Sequence, residues 1–261
     1  MTRFVWAAVF VGWGGVVAAY PPPPKERAET PPPATQADWD RSATNLKQIG
    51  LAVHNYESTY GHFPHDVRDA AGKPILSWRV QLLPYIEEGE LYKQFNLQDA
   101  WDGPTNKPLL ARMPKVFAPE GETKDEPFTT RYQVFVGGGA MFTSPRGVRI
   151  SDITDGTSNT LMIVEAAEPV PWSKPADLTY DPMGPLPNLG GVFKGGFNAA
   201  LADGSVHFIP SDTSPDRLRA WITHQGGEIV DPPGAEQRPR KGKPYLYEKK
   251  SVVPAKPQVK Q

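Results

Sequence analysis

The stretch WDRSATNLKQIGLAVHNYESTYGHFP, residues 39–64, decides the fold. Leu46, Ile49, Val53, Tyr56 and Tyr60 recur at steps of three and four, which places them on one side of an α-helix. Asn45, Lys47, Gln48, Asn55 and Glu57 fall on the wet side. Gly61 and then Pro64 stop the helix, the first by losing side-chain restraint and the second by lacking an N–H. Such a helix is a spine against which a sheet can pack.

Outward from this spine, short helical patterns come first and strand patterns later. Ser77 is placed to cap a helix over residues 78–86, with Trp78, Leu82, Leu83 and Ile86 inward and a break expected at Pro84. Residues 88–95 and 106–113 offer two further short helices. RYQVFV, residues 131–136, alternates and is rich in β-branched and aromatic residues, and it ends in three glycines, 137–139. NTLMIVEA, residues 159–166, reads as a buried strand. Residues 197–201 and 206–209 are strands joined at Asp203-Gly204, a pair that suits a type I′ hairpin turn with positive φ. Ser214-Pro215-Asp216 opens a last helix that buries Leu218, Trp221 and Ile222 and ends at Gly226-Gly227. Helices first and antiparallel strands later define an α+β fold.

The ends have a different character. Arg3 precedes the apolar run FVWAAVFVGWGGVVAAY, residues 4–20, which has the plan of an export signal cleaved before Tyr20; an uncleaved membrane anchor is the alternative. Residues 21–36 hold seven prolines and read as an extended spacer. The domain organisation is therefore a signal or anchor at 1–20, a proline-rich linker at 21–37, one α+β domain at 38–230 and a basic tail at 231–261. That tail has eight Lys/Arg against three Asp/Glu, a charge of +5, which leaves −6 for the rest of a chain whose net charge is −1. Its composition is that of a disordered segment, and its charge suits anionic envelope polymers or lipid headgroups. The overall charge gives no reason to expect nucleic acid. The absence of cysteine removes thiol nucleophiles, Cys-based zinc sites, iron–sulfur clusters and lipoprotein acylation.

Several ordered blocks together resemble one family. NLKQIGLA at 45–52 with His54-Asn55-Tyr56, and YGHFP at 60–64, look like its opening signature. SWRV at 77–80 with Leu83-Pro84-Tyr85, ITDGTSNT at 153–160, and ADGSV at 202–206 look like its later blocks. The family is the domain of unknown function 1559, expanded in planctomycetes and also filed as solute-binding-like. Its start is similar to type IV prepilins and to the pseudopilins of type II secretion. The resemblance implies a pilin-like fold, a spine helix across an antiparallel sheet, and no enzyme activity. The chain departs from the pattern in three places. It lacks the family's prepilin leader, it carries Ser42 and Ala118 where members often have cysteines, and Phe193 stands at a family histidine.

Candidate sites follow from residue chemistry. Asp152, Asp155, Thr157 and Asn159 lie in the oxygen-rich loop SDITDGTSNT, suited to Ca²⁺ or, equally, to ordinary turn bonding; the pseudopilin likeness implies a calcium loop. His62, His65 and Asp66, with His54 nearby, are candidate zinc ligands or plain loop residues. Glu165 and Glu168 are a candidate carboxylate pair for sugar hydrolysis, or a strand end and a surface charge. No Gly-x-Ser-x-Gly elbow supports serine catalysis. The proline-rich stretch 169–187 carries Trp172 and Tyr180, whose rings suit a sugar or a peptide; the alternative is a loop stapled to the core by Trp172.

The reading is an exported, non-enzymatic envelope protein with envelope proteins or surface polymers as partners. It meets the membrane only through residues 1–20 and uses no cofactor beyond the candidate calcium. The alternative is a solute- or saccharide-binding module working through Trp172 and Tyr180.

Overall fold

The computed structural model describes residues 35–118, 127–143, 145–190, 192–228 and 230–233. The expected export segment, most of the proline-rich stretch and nearly all of the basic tail lie outside the described residues.

Helix α1 spans Gln36–Tyr60. It starts three residues before Trp39 because Thr35 and Asp38 form a capping box: the Thr35 hydroxyl accepts from the Asp38 N–H, and the Asp38 carboxylate accepts from the Thr35 N–H at 2.7 Å. Twenty-five residues make a rod of about 37 Å. Leu46, Ile49, Val53 and Tyr56 are buried as the spacing predicts, but Tyr60 is 57% exposed. Gly61 closes the helix in the left-handed region at φ 75°, its N–H donating to the Glu57 carbonyl at 2.7 Å.

After α1 come a two-stranded ribbon, β1 (Val67–Arg68) and β2 (Pro74–Leu76), and the short helices α2 (Trp78–Gln81) and α3 (Gly89–Tyr92). Leu83–Ile86 is a tight 3₁₀ turn, so the helix expected over 78–86 breaks next to Pro84. Lys107–Arg112 is likewise 3₁₀.

The main sheet is antiparallel, ordered β3 (Thr129–Gln133), β5 (Leu161–Pro171), β7 (Gly196–Leu201), β8 (Val206–Pro210). Beside it, β4 (Phe135–Val136) pairs in parallel with β6 (Leu178–Thr179). Helix α4 (Pro215–Ile222) follows. This is the expected α+β architecture, an N-terminal helix with antiparallel sheet and many loops.

Strand β7 is buried at every residue because both faces are covered. Ala200 shares a core with Leu46, Ile49 and Val53 of α1; Phe197, Ala199 and Leu201 share another with Trp221 and Ile222 of α4. Small residues let α1 approach closely: a Cβ on Gly50 would lie 3.5 Å from the Met162 terminal methyl. The β7–β8 hairpin forms at Asp203-Gly204, but only Gly204 has positive φ, 80°. The turn is therefore not type I′. The Gly204 N–H donates to the Leu201 carbonyl and the Leu201 N–H to Ser205, the pattern of a longer loop with one left-handed residue.

A polar cluster sits between α1 and the sheet. The Ser42 hydroxyl donates to Glu165 Oε1, the Asn198 N–H donates to Glu165 Oε2 at 2.6 Å, and the Tyr132 hydroxyl lies 3.0 Å from Ser42 Oγ. Burial pushes the Glu165 carboxyl up to about 7, against the pull of the Ser42 and Asn198 donors. Glu168 is exposed and its carbonyl accepts from Gln133, so Glu165 and Glu168 do not face one another as a hydrolytic pair.

Candidate functional site

The segment that leaves α1, residues 61–66, divides two clefts. Phe63 is fully buried, and its N–H donates to the Val148 carbonyl at 2.8 Å, docking the loop around residue 147 onto the helix end. That docking requires glycine at 147. Its φ is 73°, and a Cβ there would lie 2.4 Å from the Phe63 carbonyl oxygen and 2.5 Å from His62 Nδ1. The imidazoles of His62 and His65 stack with centroids 5.4 Å apart, His62 lining one cleft and His65 the other. Each Nδ1 meets the next residue's carbonyl at 2.9 Å; a carbonyl only accepts, so Nδ1 carries the proton in both rings.

On the His62 side lies an open cleft of about 590 Å³ lined by Tyr60, His62, Arg146, Gly147, Arg149 and Asp152. The exposed Tyr60 ring leans on Tyr56, centroids 4.5 Å apart, while the Tyr56 hydroxyl is held by Gln81 at 2.6 Å. Asp152 is the acidic group of the lining; its carboxylate accepts from the Arg149 N–H at 3.1 Å and so braces the loop that presents the Arg149 side chain.

On the His65 side lies a smaller cleft of about 290 Å³, whose lining includes His65, Asp66, Trp78, Phe142, Asp177 and Thr179. Behind this lining an ion pair holds Asp177. Arg79 is fully buried and its guanidinium meets Asp177 Oδ1 at 2.7 Å, the Tyr132 carbonyl at 2.7 Å and Ser77 Oγ at 2.7 Å. Asp177 also accepts from the Val134 N–H at 3.0 Å and the Trp78 indole N–H at 3.4 Å. With this donor set its carboxylate has little capacity left for a nucleophile's or base's work. Asp66 accepts from the Trp78 N–H at 3.0 Å; burial first, and then the negative charge of Asp177, push its carboxyl up to about 6. The arrangement ties the long loop through residue 177 to the core, and β6 beside it adds the Leu178 and Tyr180 N–H bonds to the Val134 and Val136 carbonyls.

That loop corrects the aromatic-surface expectation. Trp172 is fully buried, its ring against Phe95 and Phe117 at 5.7 and 6.0 Å and its N–H donating to the Leu110 carbonyl at 3.0 Å. Tyr180 is 3% exposed and packs under the glycine run, where a Cβ on Gly138 would lie 2.7 Å from its ring. Neither ring has a face for a ligand, so Trp172 staples the loop.

The oxygen-rich loop is engaged in protein contacts too. Asp155 accepts from the Gly226 and Gly227 N–H groups at 2.7 and 2.9 Å, and the Asp155 and Thr154 N–H groups hold the His224 carbonyl. Asn159 donates to the Asp155 carbonyl, Thr157 accepts from the Asp203 N–H, and Asp152 is the brace described above. Asp152, Asp155, Thr157 and Asn159 thus bond neighbouring chain, while Asn159 Oδ1 is buried with no hydrogen-bond partner. Among the described residues no group of three or more His, Asp or Glu side chains is placed to hold a metal ion, His62, His65 and Asp66 included.

Arg79, Asp177, Arg146 and Arg149 are the site residues that sequence reasoning missed. Pro145-Arg146-Gly147, an arginine between two turn-forming residues, is a signal that could have marked the outer loop.

A helix-on-sheet α+β domain with one locked and one open cleft is the class that fold and site define. The family model described as a protein of unknown function (DUF1559), which also carries a bacterial solute-binding label, matches residues 41–130 and 116–185. The chain belongs to this family. No curated protein and no solved structure gives a significant match.

Proposed function

We propose that this is an exported, non-enzymatic envelope protein, pilin- or pseudopilin-like in plan, that acts through contact with envelope proteins or surface polymers. The observation that carries the reading is the contrast between the clefts. Asp66, the perturbed carboxyl of the inner cleft, stands among internal hydrogen bonds, whereas the open cleft presents the exposed Tyr60 and Arg149. The apolar run at 4–20 followed by a proline-rich spacer supports export. Among the described residues no helix is long and apolar enough to cross a membrane.

The test is cell fractionation with sequencing of the mature N-terminus. A chain starting at Tyr20 in the soluble envelope fraction, or an intact chain in the membrane fraction, agrees with the proposal. An intact chain in the cytoplasmic fraction overturns it.

The second reading is an extracytoplasmic solute- or saccharide-binding module. The 57% exposure of Tyr60 beside a cleft favours it and moves the binding aromatic from Trp172 to Tyr60.

A further inference from the structure

We propose that Ser42 and Glu165 form a latch that holds residues 36–45 of α1 to the sheet at acid pH and lets them lift as the pH rises to neutral.

The first observation is how that stretch is held. Among residues 36–45 Ser42 is the buried one; the buried apolar side chains of α1 begin at Leu46 and continue with Ile49, Val53 and Tyr56. Trp39 is half-buried, its ring against Phe193 and Phe208 at 4.5 and 4.4 Å. What the stretch buries completely is therefore a hydroxyl, and that hydroxyl is bonded to Glu165. The rest of the helix has its own apolar anchorage, so the two halves can part company.

The second observation is that Glu165 lacks a counter-charge. It is 3% exposed, and among the described residues no cation is paired with it. The groups that face it are Tyr132 and Arg131 from β3, Ser42 and Asn45 from α1, and Asn198 from β7. Arg131 is the charged one, and its guanidinium donates to the Ala166 and Ala167 carbonyls instead. Asp177 shows the other way to bury an acid, with Arg79 at 2.7 Å. A buried carboxyl without such a partner keeps its proton.

The third observation is that the surroundings can take that proton in. Its O–H then donates to Ser42 Oγ, and Ser42 turns its own proton to Tyr132 Oη, 3.0 Å away. When residues 36–45 lift, water reaches Glu165 and the proton passes to solvent. The closed form holds the proton up to about pH 7, and the open form gives it up in the ordinary carboxylate range near about 4. Opening is therefore eased as pH rises between those values and levels off above them.

The experiment is amide hydrogen exchange of the full chain at pH about 5 and about 7.5, with and without low urea, each rate divided by that of an unstructured peptide at the same pH. The expected result is that residues 40–45 lose protection about tenfold or more at the higher pH. Their exchange is insensitive to low urea, as a small local opening requires, whereas that of residues 49–56 responds to it. In Glu165→Gln the pH step at residues 40–45 disappears. Ser42→Ala, which removes the hydroxyl and keeps the acid, lowers their protection about threefold or more already at pH about 5. It carries the test if Glu165→Gln does not fold.

A pH step that persists in Glu165→Gln overturns the proposal, as does the absence of a step in the parent. Residues 40–45 sharing the protection and urea response of residues 49–56 would show opening of the whole domain and overturn the latch. Unchanged protection in Ser42→Ala would do the same.

Discussion

The clefts on the two sides of the stacked His62 and His65 use arginine in opposite ways. Behind the lining of the inner one, Arg79 is fully buried and bonded to Asp177, Tyr132 and Ser77; the outer one is lined by Arg146 and Arg149, both exposed to solvent. A perturbed carboxyl such as Asp66 usually marks a functional site. Here the same perturbation accompanies an ion pair that fastens a loop.

The largest expected effect lies in the inner cleft. Arg79→Ala strands Asp177 without its ion partner and costs about 3–5 kcal/mol in urea unfolding. The double variant Arg79→Met, Asp177→Leu recovers much of that loss, because a buried pair replaced by apolar groups leaves no lone charge. A cost below about 1 kcal/mol for Arg79→Ala would remove the contrast between the clefts.

Gly147→Ala comes next. It adds a Cβ within 2.5 Å of two groups at a positive φ, and it is expected to cost about 1–3 kcal/mol and to disturb the outer cleft first. An altered His62 resonance checks this by NMR.

The buried carboxyls set a pH dependence. Glu165 is raised to about 7 and Asp66 to about 6, so the folded state holds their protons more tightly than the unfolded chain. Their contribution to stability is complete below the ordinary carboxylate range near about 4 and is lost as pH rises through about 6 to 7. In Glu165→Gln the amide oxygen can accept from Asn198 while its NH₂ donates to Ser42. This variant is expected to gain on the order of 1 kcal/mol above neutral pH and to flatten the unfolding profile between pH about 5 and 7. An unchanged profile would show that Glu165 is not the titrating group.

The smallest effect is the sharpest contrast. Arg149→Ala and Tyr60→Ala change unfolding free energy by less than about 0.5 kcal/mol, since both side chains stand at the surface.

The spine was legible because its apolar spacing also governs its burial: Leu46, Ile49, Val53 and Tyr56 lie inward as read. Tyr60 follows the same spacing but falls in the last turn, beyond the sheet's cover, where periodicity says nothing about what lies opposite. The helix start was hidden because Thr35, its cap, sits in a proline-rich stretch that reads as linker. The Pro84 break and the Asp203-Gly204 hairpin were local chemistry and could be read; the turn type depended on neighbouring strand geometry and could not. The inner cleft was illegible because Arg79 reads as a surface residue, and only a partner 98 positions away makes its burial tolerable. Trp172 had two readings, a ligand face or a core staple, and its burial by Phe95 and Phe117 decides for the staple. The outer cleft joins two segments more than eighty residues apart, and no local pattern records such a meeting.

Amide hydrogen exchange of Arg79→Ala against the parent chain tests the division of roles most directly. The account predicts faster exchange at residues 176–180, whose loop the Arg79–Asp177 pair fastens, with residues 60–63 and 147–152 unchanged. Unchanged exchange at residues 176–180 would contradict it.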